Sequence, residues 1–516
     1  MGITSLSYMG FFLVVIILYY VLPAKARWIY LLICSMAYML ISGDPILILY
    51  PLITVFITWI CSRCMEGVKR REQSRDKCEK KRKIYLIIAL SANLGVLLVL
   101  KYLNLGVYTF NALSSLTGWQ NQAEVFRFAA PIGLSFYTLS IIGYLFDVYY
   151  EIGEAESNYA KLLLFGTYFP LLISGPIVRY RETGKKLFEN HRFDYKTVIY
   201  GIQRIVIGFF KVLVISERLA IIVREVFDNY RDYPGMYIIV AATAYSIRLY
   251  TNFSGSMDII MGISESLGIE LPENFRQPFF SKTIQEFWQR WHITLGAWLK
   301  DYILYPVLRT NTFMNLPSKW KDKLGKKKAK QYTTFIAMFI LWFSVGLWHG
   351  GSWKIIFGTG LLQCAYIIVS ELCTPWFKAI KKKLHINDKS KLFVLFQRIR
   401  TFILITVGFM FFNAGSLRDG FRMWVSGFKI TNAKILIDGS LLQLGIGRKD
   451  WIIIAVSIVL LLIQSCINEK TDFRNAVSKR FILIRWGIWY AILFFVILFG
   501  SYGPGYSAAE FIYQGF

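Results

Sequence analysis

Histidine side chains at the ends of apolar segments are the residues of this chain best suited to chemistry. His349 ends the apolar run 335–348 and precedes two glycines, and His292 follows the aromatic string 287–291. Imidazole is the side chain whose proton moves most easily near neutral pH. An ionisable group at membrane depth is costly, so it usually faces protein or a watery cavity and has a function there. The alternative is that each histidine caps a helix and bonds a backbone carbonyl.

A neutral imidazole can take the proton of an attacking hydroxyl, which contributes about 10²–10⁴-fold to a rate. The glycines after His349 would let substrate and backbone approach closely. The sequence contains no Gly-x-Ser-x-Gly elbow and no phosphate-cradling loop, and Cys61 and Cys64 have metal-ligand spacing but no histidine nearby. These patterns argue against a hydrolase, an ATPase and a metalloenzyme, and we expect no metal.

Composition places these histidines in a membrane protein. The chain is 55% hydrophobic and 17% aromatic over 516 residues, with a net charge of +27. So apolar a chain is unusual for a soluble globule. The basic residues cluster in short segments between apolar runs, as in loops that lie on anionic lipid, so membrane lipid is expected as a partner and nucleic acid is not.

The elements that position the histidines are predicted to be membrane helices, each of about 20 mostly apolar residues. The candidate spans are 6–22, 28–42, 45–61, 84–103, 130–148, 197–222, 236–250, 333–348, 353–373, 398–412, 451–467 and 486–502. The segment 165–178 contains Pro170, Gly175 and Pro176 and predicts a broken, re-entrant turn. Segment 251–306 mixes charges with aromatics and predicts interfacial helices. One integral domain is expected over 1–516.

Lysine and arginine predict the orientation. Four basic segments, 63–83, 319–330, 378–391 and 470–485, are expected to be cytoplasmic loops, whereas 104–126 has no Lys or Arg and is expected outside. This alternation predicts extracytoplasmic termini in the plasma membrane. It also puts His292 on the cytoplasmic side and His349 deeper in the membrane, which suggests a group delivered from one side and used on the other.

An ordered set of strings resembles the membrane-bound O-acyltransferase family. These strings are Pro131–Tyr137, Asp147–Tyr149, Ser174–Tyr180, Asn252–Gly255, Pro272–Phe279, Trp288–His292 and Trp348–Gly350. Together they extend over about 30–412, with 413–516 adding further spans. The bacterial polysaccharide branch, which includes alginate and peptidoglycan O-acetyltransferases and teichoic acid D-alanyl transferases, is the most similar. Asn252 replaces a common Asp, and the lysine run 319–330 replaces a pattern of many alginate-type members.

The resemblance implies a ring of roughly 11–13 tilted, partly re-entrant helices around a central funnel. It further implies an essential histidine at His349 and, in this branch, a second at His292. The implied activity is transfer of an acyl group, foremost acetyl, from a cytoplasmic thioester such as acetyl-coenzyme A for O-acetylation of a cell-envelope polysaccharide. No bound cofactor is expected. The polysaccharide would be reached directly or through a secreted SGNH-type O-acetyltransferase or esterase-like partner.

Tyr513 lies in the terminal string 511–516, which matches a Phe-x-Tyr-x-x-Phe ending of this branch. The match implies that Tyr513 is a third catalytic residue that carries the acyl group as a phenyl ester. The alternative is an aromatic anchor at the outer interface.

Further residues are candidates for binding the substrate or the acyl donor. Arg179 and Arg290 could hold phosphates of the donor, although interfacial arginines are commonly ion-paired or face lipid. Trp288 and Trp291, with Trp298, are expected to wall the cytoplasmic mouth. Asn252 and Ser254 complete the set through the family string that contains them.

Three other functions are compatible with parts of the sequence. D-Alanyl transfer to teichoic acid is the alternative acyl chemistry within the family. A transporter would use the histidines as a proton or substrate path, but the chain shows no internal repeat of the kind that transporters carry. A scaffold that docks a secreted transferase would not need both histidines.

Overall fold

The computed structural model describes residues 1–117, 119, 122–126, 128–429 and 432–502. Helix accounts for 79% of it, far above the ~30–35% of average soluble proteins. No strand forms within the described residues, where Phe275 and Trp291 make an isolated antiparallel bridge. The predicted all-α class is confirmed.

Contacts group the chain into two compact units. The first comprises Met1–Phe209 and Ser256–Pro272, and the second comprises Phe210–Gly255 and Glu273–Phe516. The α-helices of the first unit are Leu6–Val21, Arg27–Ser42, Leu49–Arg71, Arg75–Leu97, Leu103–Thr117, Leu134–Tyr149, Tyr159–Thr167, Phe169–Ile173 and Tyr195–Phe209. Its π-helical segments are Leu98–Tyr102 and Tyr180–Gly184, and its 3₁₀ turns are Ala24–Ala26, Pro45–Ile48 and Lys185–Phe188. The expectation of one domain stays a prediction.

The helix Met236–Ser266 contributes residues to both units. The other α-helices of the second unit are Glu217–Asp228, Ile284–Arg290, Ile293–Leu299, Tyr305–Leu308, Asn311–His349, Trp353–Ile355, Leu362–Leu372, Thr374–Lys383, Lys391–Asn413, Leu417–Phe428, Arg448–Asn468, Phe473–Ser478 and Ile482–Phe499. Its π-helical segments are Phe210–Ser216, Lys300–Leu304 and Ile356–Leu361, and its 3₁₀ turns are Pro278–Phe280, Ala433–Leu436 and Ser440–Gln443.

Membrane-length apolar helices recur in both units. Among the described residues, eight are long and apolar enough to span a bilayer: Ala24–Ser42, Pro45–Arg71, Arg75–Ser115, Asn311–His349, Trp353–Leu372, Lys391–Asn413, Arg448–Asn468 and Ile482–Phe499. Leu6–Val21 and Leu134–Tyr149 are shorter apolar helices at two further predicted positions. Large apolar side chains lie exposed on these helices, such as Leu498 at 71%. Such surfaces suit lipid rather than water, and the protein is a multi-pass membrane protein.

The predicted spans 197–222 and 236–250 are helical but are not among those eight. Each carries charged groups that lower its hydropathy, including Lys211 and Glu217 in the first and Arg248 in the second. Lys211 and Glu217 are each 8% exposed, so these helices place charge inside the protein. The second continues to Ser266, well beyond its predicted end, into the segment expected to be interfacial.

The lysine-rich segment 319–330 is not a loop, and that prediction is wrong. It belongs to the helix Asn311–His349, which is interrupted at Gly325 (φ 76°, ψ 153°). Lysine and alanine favour helix, so the helix runs past the apolar segment. The break needs glycine, because other residues rarely adopt this backbone conformation. Basic residues also continue helices at Leu49–Arg71, Arg75–Leu97 and Thr374–Lys383.

The segment 165–178 breaks as predicted. One helix ends at Thr167, a short helix covers Phe169–Ile173, and Ser174 begins an extended stretch. Phe169, Ser174 and Val178 are all buried within the first unit. The freed backbone is therefore enclosed by protein, which is the condition under which a membrane protein tolerates such a break.

Candidate active site

His349 is the last residue of the helix Asn311–His349 and is 2% exposed. The neighbouring segment Ile356–Leu361 packs directly on this helix. A Cβ on Gly346 would lie 2.8 Å from the backbone oxygen of Ile356, and one on Gly360 would lie 2.5 Å from that of Trp342. The two backbones therefore touch where glycine leaves room, one turn before His349, and this close packing fixes the end of the helix.

His292 lies between the short helices Ile284–Arg290 and Ile293–Leu299, in the left-handed conformation (φ 46°, ψ 51°). Non-glycine residues seldom adopt this conformation, and such strain often accompanies a functional position. The segment is held by a bridge: Arg276 N–H donates to the oxygen of Arg290 (2.9 Å), and Ile293 N–H donates to that of Asn274 (3.0 Å). These bonds flank His292 and fix its backbone.

Asn274 determines the tautomer of His292. Its Oδ1 accepts hydrogen bonds from the backbone N–H of Thr294 (3.2 Å) and from Thr294 Oγ1 (3.0 Å), and His292 Nδ1 lies 3.1 Å away. A backbone N–H can only donate, so the Asn274 atom is the amide oxygen and Nδ1 of His292 must carry the proton. The remaining nitrogen, Nε2, is buried and has no hydrogen-bond partner among the described residues. It presents a lone pair for a proton or a donor group.

The two histidines meet inside a cage of aromatic rings. The centres of their rings are 6.2 Å apart. Trp348 contacts both, at 5.3 Å from His292 and 5.0 Å from His349. Phe253 meets His292 edge-on at 4.9 Å, and Phe412 lies 6.2 Å from His349. The pair is therefore enclosed in apolar material within the second unit.

This enclosure keeps His292 uncharged. Burial lowers the pKa of His292 well below its usual value, and the neighbouring His349 lowers that pKa further. Both effects disfavour an imidazolium, because burial removes hydration and a second basic ring repels the added charge. At neutral pH, His292 is thus a proton or hydrogen-bond acceptor.

The two predicted binding tryptophans precede His292 in the chain, Trp288 on the helix Ile284–Arg290 and Trp291 at its end. Trp291 is 1% exposed and packs among aromatic rings, including Phe287 at 5.4 Å, so it belongs to the core below His292. Trp288 is partly exposed, and its indole N–H points to Gln363 Oε1 at 3.4 Å. Trp298 is 5% exposed. Their predicted part in binding the donor stays a prediction.

Asn252 and Ser254 flank Phe253 and are 2% and 3% exposed. The Oδ1 of Asn252 and the Oγ of Ser254 have no hydrogen-bond partner among the described residues. Buried oxygens of this kind commonly bond a water or a ligand group. The structure therefore leaves both residues with capacity for a ligand, at the positions directly before and after Phe253 in the helix Met236–Ser266.

The predicted arginines make ion pairs. Arg290 pairs with Glu286 (2.9 Å) and with Glu469, and Arg179 in the first unit pairs with Glu182 (3.1 Å). Pairing is the alternative that the sequence left open for them, and their role in holding donor phosphates stays a prediction.

Tyr513 lies outside the described residues. Within those residues, no group of three or more His, Cys, Asp or Glu side chains has the arrangement of a metal site.

Sequence reasoning did not assign Asn274, Gln363 or Phe412 to the site. Asn274 occurs in a string that resembles the family, but its bond to His292 depends on the backbone bridge. Gln363 lies 75 positions from the Trp288 that it bonds. A buried amide in an apolar helix is the signal that could have identified Gln363, since such a group needs a partner.

Comparisons with known proteins identify the family of this chain. Residues 84–319 match the model of the membrane-bound O-acyltransferase family. The probable alginate O-acetylase AlgI of Pseudomonas aeruginosa is 30% identical over 413 residues, which are 80% of this chain and 71% of that protein. The peptidoglycan O-acetyltransferase of Helicobacter pylori is 28% identical over 66% of this chain and 64% of its own length. The teichoic acid D-alanyltransferase of Bacillus subtilis is 28% identical over 55% of this chain and 68% of its own length.

The alginate O-acetylase relative covers most of both chains, and the family model covers the segment that contains His292. Together with a multi-pass helical fold and a buried histidine pair, these matches establish an enzyme of the acyltransferase class. The chain belongs to the membrane-bound O-acyltransferase family.

Proposed function

We propose that the enzyme transfers an acetyl group from a cytoplasmic thioester donor, such as acetyl-coenzyme A, to hydroxyl groups of a cell-envelope polysaccharide. The observation that carries this proposal is the buried histidine pair, 6.2 Å between ring centres, with His292 held neutral by its surroundings. Transfer from a thioester to a hydroxyl needs a base and protection from water; a histidine of the pair supplies the base, and the aromatic cage around it excludes water.

In this proposal His349 is the general base. It takes the proton from the acceptor hydroxyl as the oxygen attacks the thioester carbonyl carbon. The carbon–sulfur bond breaks, the thiolate receives the proton from His349, and an ester and a free thiol leave. His349 returns to its neutral form, so protons balance over the cycle.

His292 acts on the donor side. Because Nδ1–H is committed to Asn274, the lone pair of Nε2 is available to accept a hydrogen bond, for example from an amide N–H of the donor's arm. This role orients the reacting carbonyl. Asn252 and Ser254 supply further hydrogen-bonding capacity near Phe253.

The experiment is a transfer assay with the purified full-length protein. Wild-type enzyme should release thiol from acetyl-coenzyme A and form an ester on an added oligosaccharide, whereas the His349→Gln variant should do neither. His385→Asn is the matched control, because His385 is exposed on the second unit. Thiol release by His349→Gln at the wild-type rate would refute the base assignment.

The acyl group has a second candidate. The D-alanyltransferase relative motivates D-alanyl transfer to teichoic acid. Competition between acetyl and D-alanyl thioesters for the same enzyme measures the preference directly. Acetyl transfer at a rate well above that of D-alanyl supports the first proposal, and the reverse order replaces it.

Tyr513 is proposed as a covalent carrier that takes the acyl group on its phenol oxygen and passes it to the polymer or to a secreted SGNH-type partner. In this proposal both termini of the chain lie on the extracytoplasmic side of the membrane. The support is the aromatic string 511–516. Tyr513→Phe retains the ring and removes only the hydroxyl, so an anchor tolerates the change and a carrier does not. Mass spectrometry of the C-terminal peptide should find an acyl adduct that His349→Gln prevents. Full activity of Tyr513→Phe without any adduct would return Tyr513 to an anchoring role.

A further inference from the structure

A second polar site lies in the first unit, in a cavity of about 1050 Å³. Part of its lining comes from the C-terminal end of the helix Leu49–Arg71 and the N-terminal part of the helix Arg75–Leu97. These are the basic ends of two membrane-length helices. Lys69, Arg70 and Arg82 from these ends line it. Basic residues at the end of a membrane helix commonly lie at the level of lipid headgroups. The cavity is therefore placed at a membrane surface and is large enough for a small ligand.

Hydrogen bonds hold a side chain of the cavity wall in place. Arg82 is 7% exposed and donates to Glu151 (2.6 Å) and to the backbone oxygens of Val148 (3.1 Å) and Tyr149 (2.7 Å). Its Nε is buried and has no hydrogen-bond partner among the described residues. The lining also includes Tyr180 and Arg181 of the π-helical segment Tyr180–Gly184, a conformation often found at functional sites. A guanidinium held in this way is a fixed cation in the wall of the cavity.

The charges that line the cavity are balanced. Six basic and six acidic side chains contribute to it. Most of them neutralise one another, as in the pairs Lys69–Glu151 (2.8 Å) and Arg181–Asp147 (3.2 Å). A polyanion such as a nucleotide would find as many repelling as attracting groups. The balance favours a ligand that carries both signs of charge.

Five lining side chains make no ion pair among the described residues, and one of them, Glu156, already accepts a hydrogen bond from the Tyr180 hydroxyl, which leaves four for such a ligand. Lys161, Lys185, Glu154 and Glu189 line the cavity and make no ion pair among the described residues. Lys161 is held by aromatic rings, with its Nζ 5.0 Å from the centre of Phe188. Two cations and two carboxylates thus remain available, and the former suit a phosphate while the latter suit an ammonium group.

We propose that this cavity binds a phosphate–ammonium zwitterion of the phosphoethanolamine class, as a phospholipid headgroup or as the free molecule. Lys161, Lys185 and Arg82 contact the phosphate, and Glu154 and Glu189 contact the ammonium group. At the edge, Ile152 is 55% exposed and offers an apolar surface for the start of an acyl chain. The proposal is independent of the acyl-transfer chemistry.

The test measures lipid retained by full-length protein in nanodiscs that contain phosphatidylethanolamine and phosphatidylglycerol in equal amounts. Mass spectrometry after detergent exchange should find the ethanolamine lipid retained about tenfold over the glycerol lipid, which corresponds to about one charged hydrogen bond. The double variant Lys161→Gln/Lys185→Gln should abolish retention of both lipids, and Glu154→Gln/Glu189→Gln should abolish the preference. Lys186→Gln is the matched control, since Lys186 pairs with Glu270 and does not line the cavity.

Thermal unfolding with soluble probes separates the two sources. Stabilisation by O-phosphoethanolamine supports recognition of the headgroup alone, and retention of lipid without such stabilisation assigns the site to the lipid. Equal stabilisation by inorganic phosphate, or equal retention of phosphatidylglycerol by the wild-type protein, would overturn the proposal. Thiol release at the wild-type rate by both double variants shows that they are folded.

Discussion

The ionisable groups of the histidine pair in the second unit and those of the charged cavity in the first unit have opposite surroundings. Around His292 and His349 the neighbours are aromatic rings, and His292 hydrogen-bonds the uncharged amide of Asn274. In the cavity, by contrast, Arg82 donates hydrogen bonds to a carboxylate and two carbonyl oxygens.

The difference separates groups that exchange protons from groups that hold charge. A base must be neutral before it can accept a proton, and an apolar, uncharged enclosure maintains that state. A binding group must stay charged, and compensating partners maintain that state at a low cost in desolvation. Adding charge to the cage should therefore change the pH dependence of acyl transfer, whereas removing charge from the cavity should lower stability.

The largest effect should come from His349→Gln. Glutamine is similar in length and polar, but it cannot take a proton, so the chemical step loses its base. We expect acyl transfer to fall about 10²–10⁴-fold, with the protein still folded in the membrane. Steady-state assays of ester formation measure the loss, and circular dichroism checks the fold. A variant with full activity would remove His349 from the chemistry.

The next effect is expected at His292, and the chain offers a matched pair. His292 and His385 have nearly the same left-handed backbone (φ 46° and 49°), but only His292 is buried. Asparagine tolerates this conformation, so His292→Asn and His385→Asn change the imidazole with little backbone strain. Activity should fall about 10²-fold in the first variant and stay unchanged in the second. Equal effects would attribute the loss to the backbone.

Adding charge to the cage gives a smaller, directional effect. Asn274→Asp keeps the acceptor oxygen for His292 and Thr294, but a carboxylate favours the imidazolium and raises the pKa of His292. The acid limb of the pH–rate profile should move to higher pH. An unchanged profile would mean that protonation of His292 does not limit the rate.

Stability should depend on pH in the wild-type enzyme through the same group. The folded pKa of His292 is depressed, whereas the unfolded value is about 6.5. Below about pH 6.5 the unfolded chain therefore binds the proton first, and stability decreases as the pH falls. Above that pH the contribution of His292 is constant. Thermal unfolding between about pH 5 and 7.5 should show a smaller decrease for His292→Asn than for the wild type.

The smallest effect on catalysis should come from the cavity. Arg82→Met removes three donated hydrogen bonds, including the one to the Tyr149 carbonyl oxygen, whereas the Val148 carbonyl oxygen still accepts from Glu151 N–H (3.2 Å). We expect a loss of about 1–3 kcal/mol in the free energy of unfolding with an unchanged rate of acyl transfer. Chemical denaturation and the transfer assay measure the two quantities on one preparation. A rate loss like that of His349→Gln would join the cavity to the reaction.

The sequence predicted the fold class, and it singled out the two histidines that the structure brings together in the candidate site, because both depend on local patterns. Apolar runs predicted ten of the helices, and a histidine after such a run marked His349 as the end of one. The predicted helix ends in the basic segments were wrong. Lysine favours helix, so a helix continues beyond the apolar run from which hydropathy predicts it. The break at Gly325 occurs inside such a segment.

Other features depend on contacts that are distant in sequence. The tautomer of His292 follows from Asn274, which is 18 positions away and reaches it through the bridge between Phe275 and Trp291. Trp291 belongs to the same aromatic string as Trp288, yet one is core and the other is partly exposed. The cavity of the first unit combines four separate stretches of chain, each unremarkable alone.

The central claim, that the two histidines act as one unit, is tested most directly by a double-mutant cycle. Acyl transfer is measured in the wild type, His349→Gln, His292→Asn and the double variant, with His385→Asn as control. If the pair works together, the double variant will be no slower than the slower single variant, because residues of one catalytic unit are strongly non-additive. If the two losses instead multiply, the histidines act independently and the proposed division of labour between base and donor-side partner is contradicted.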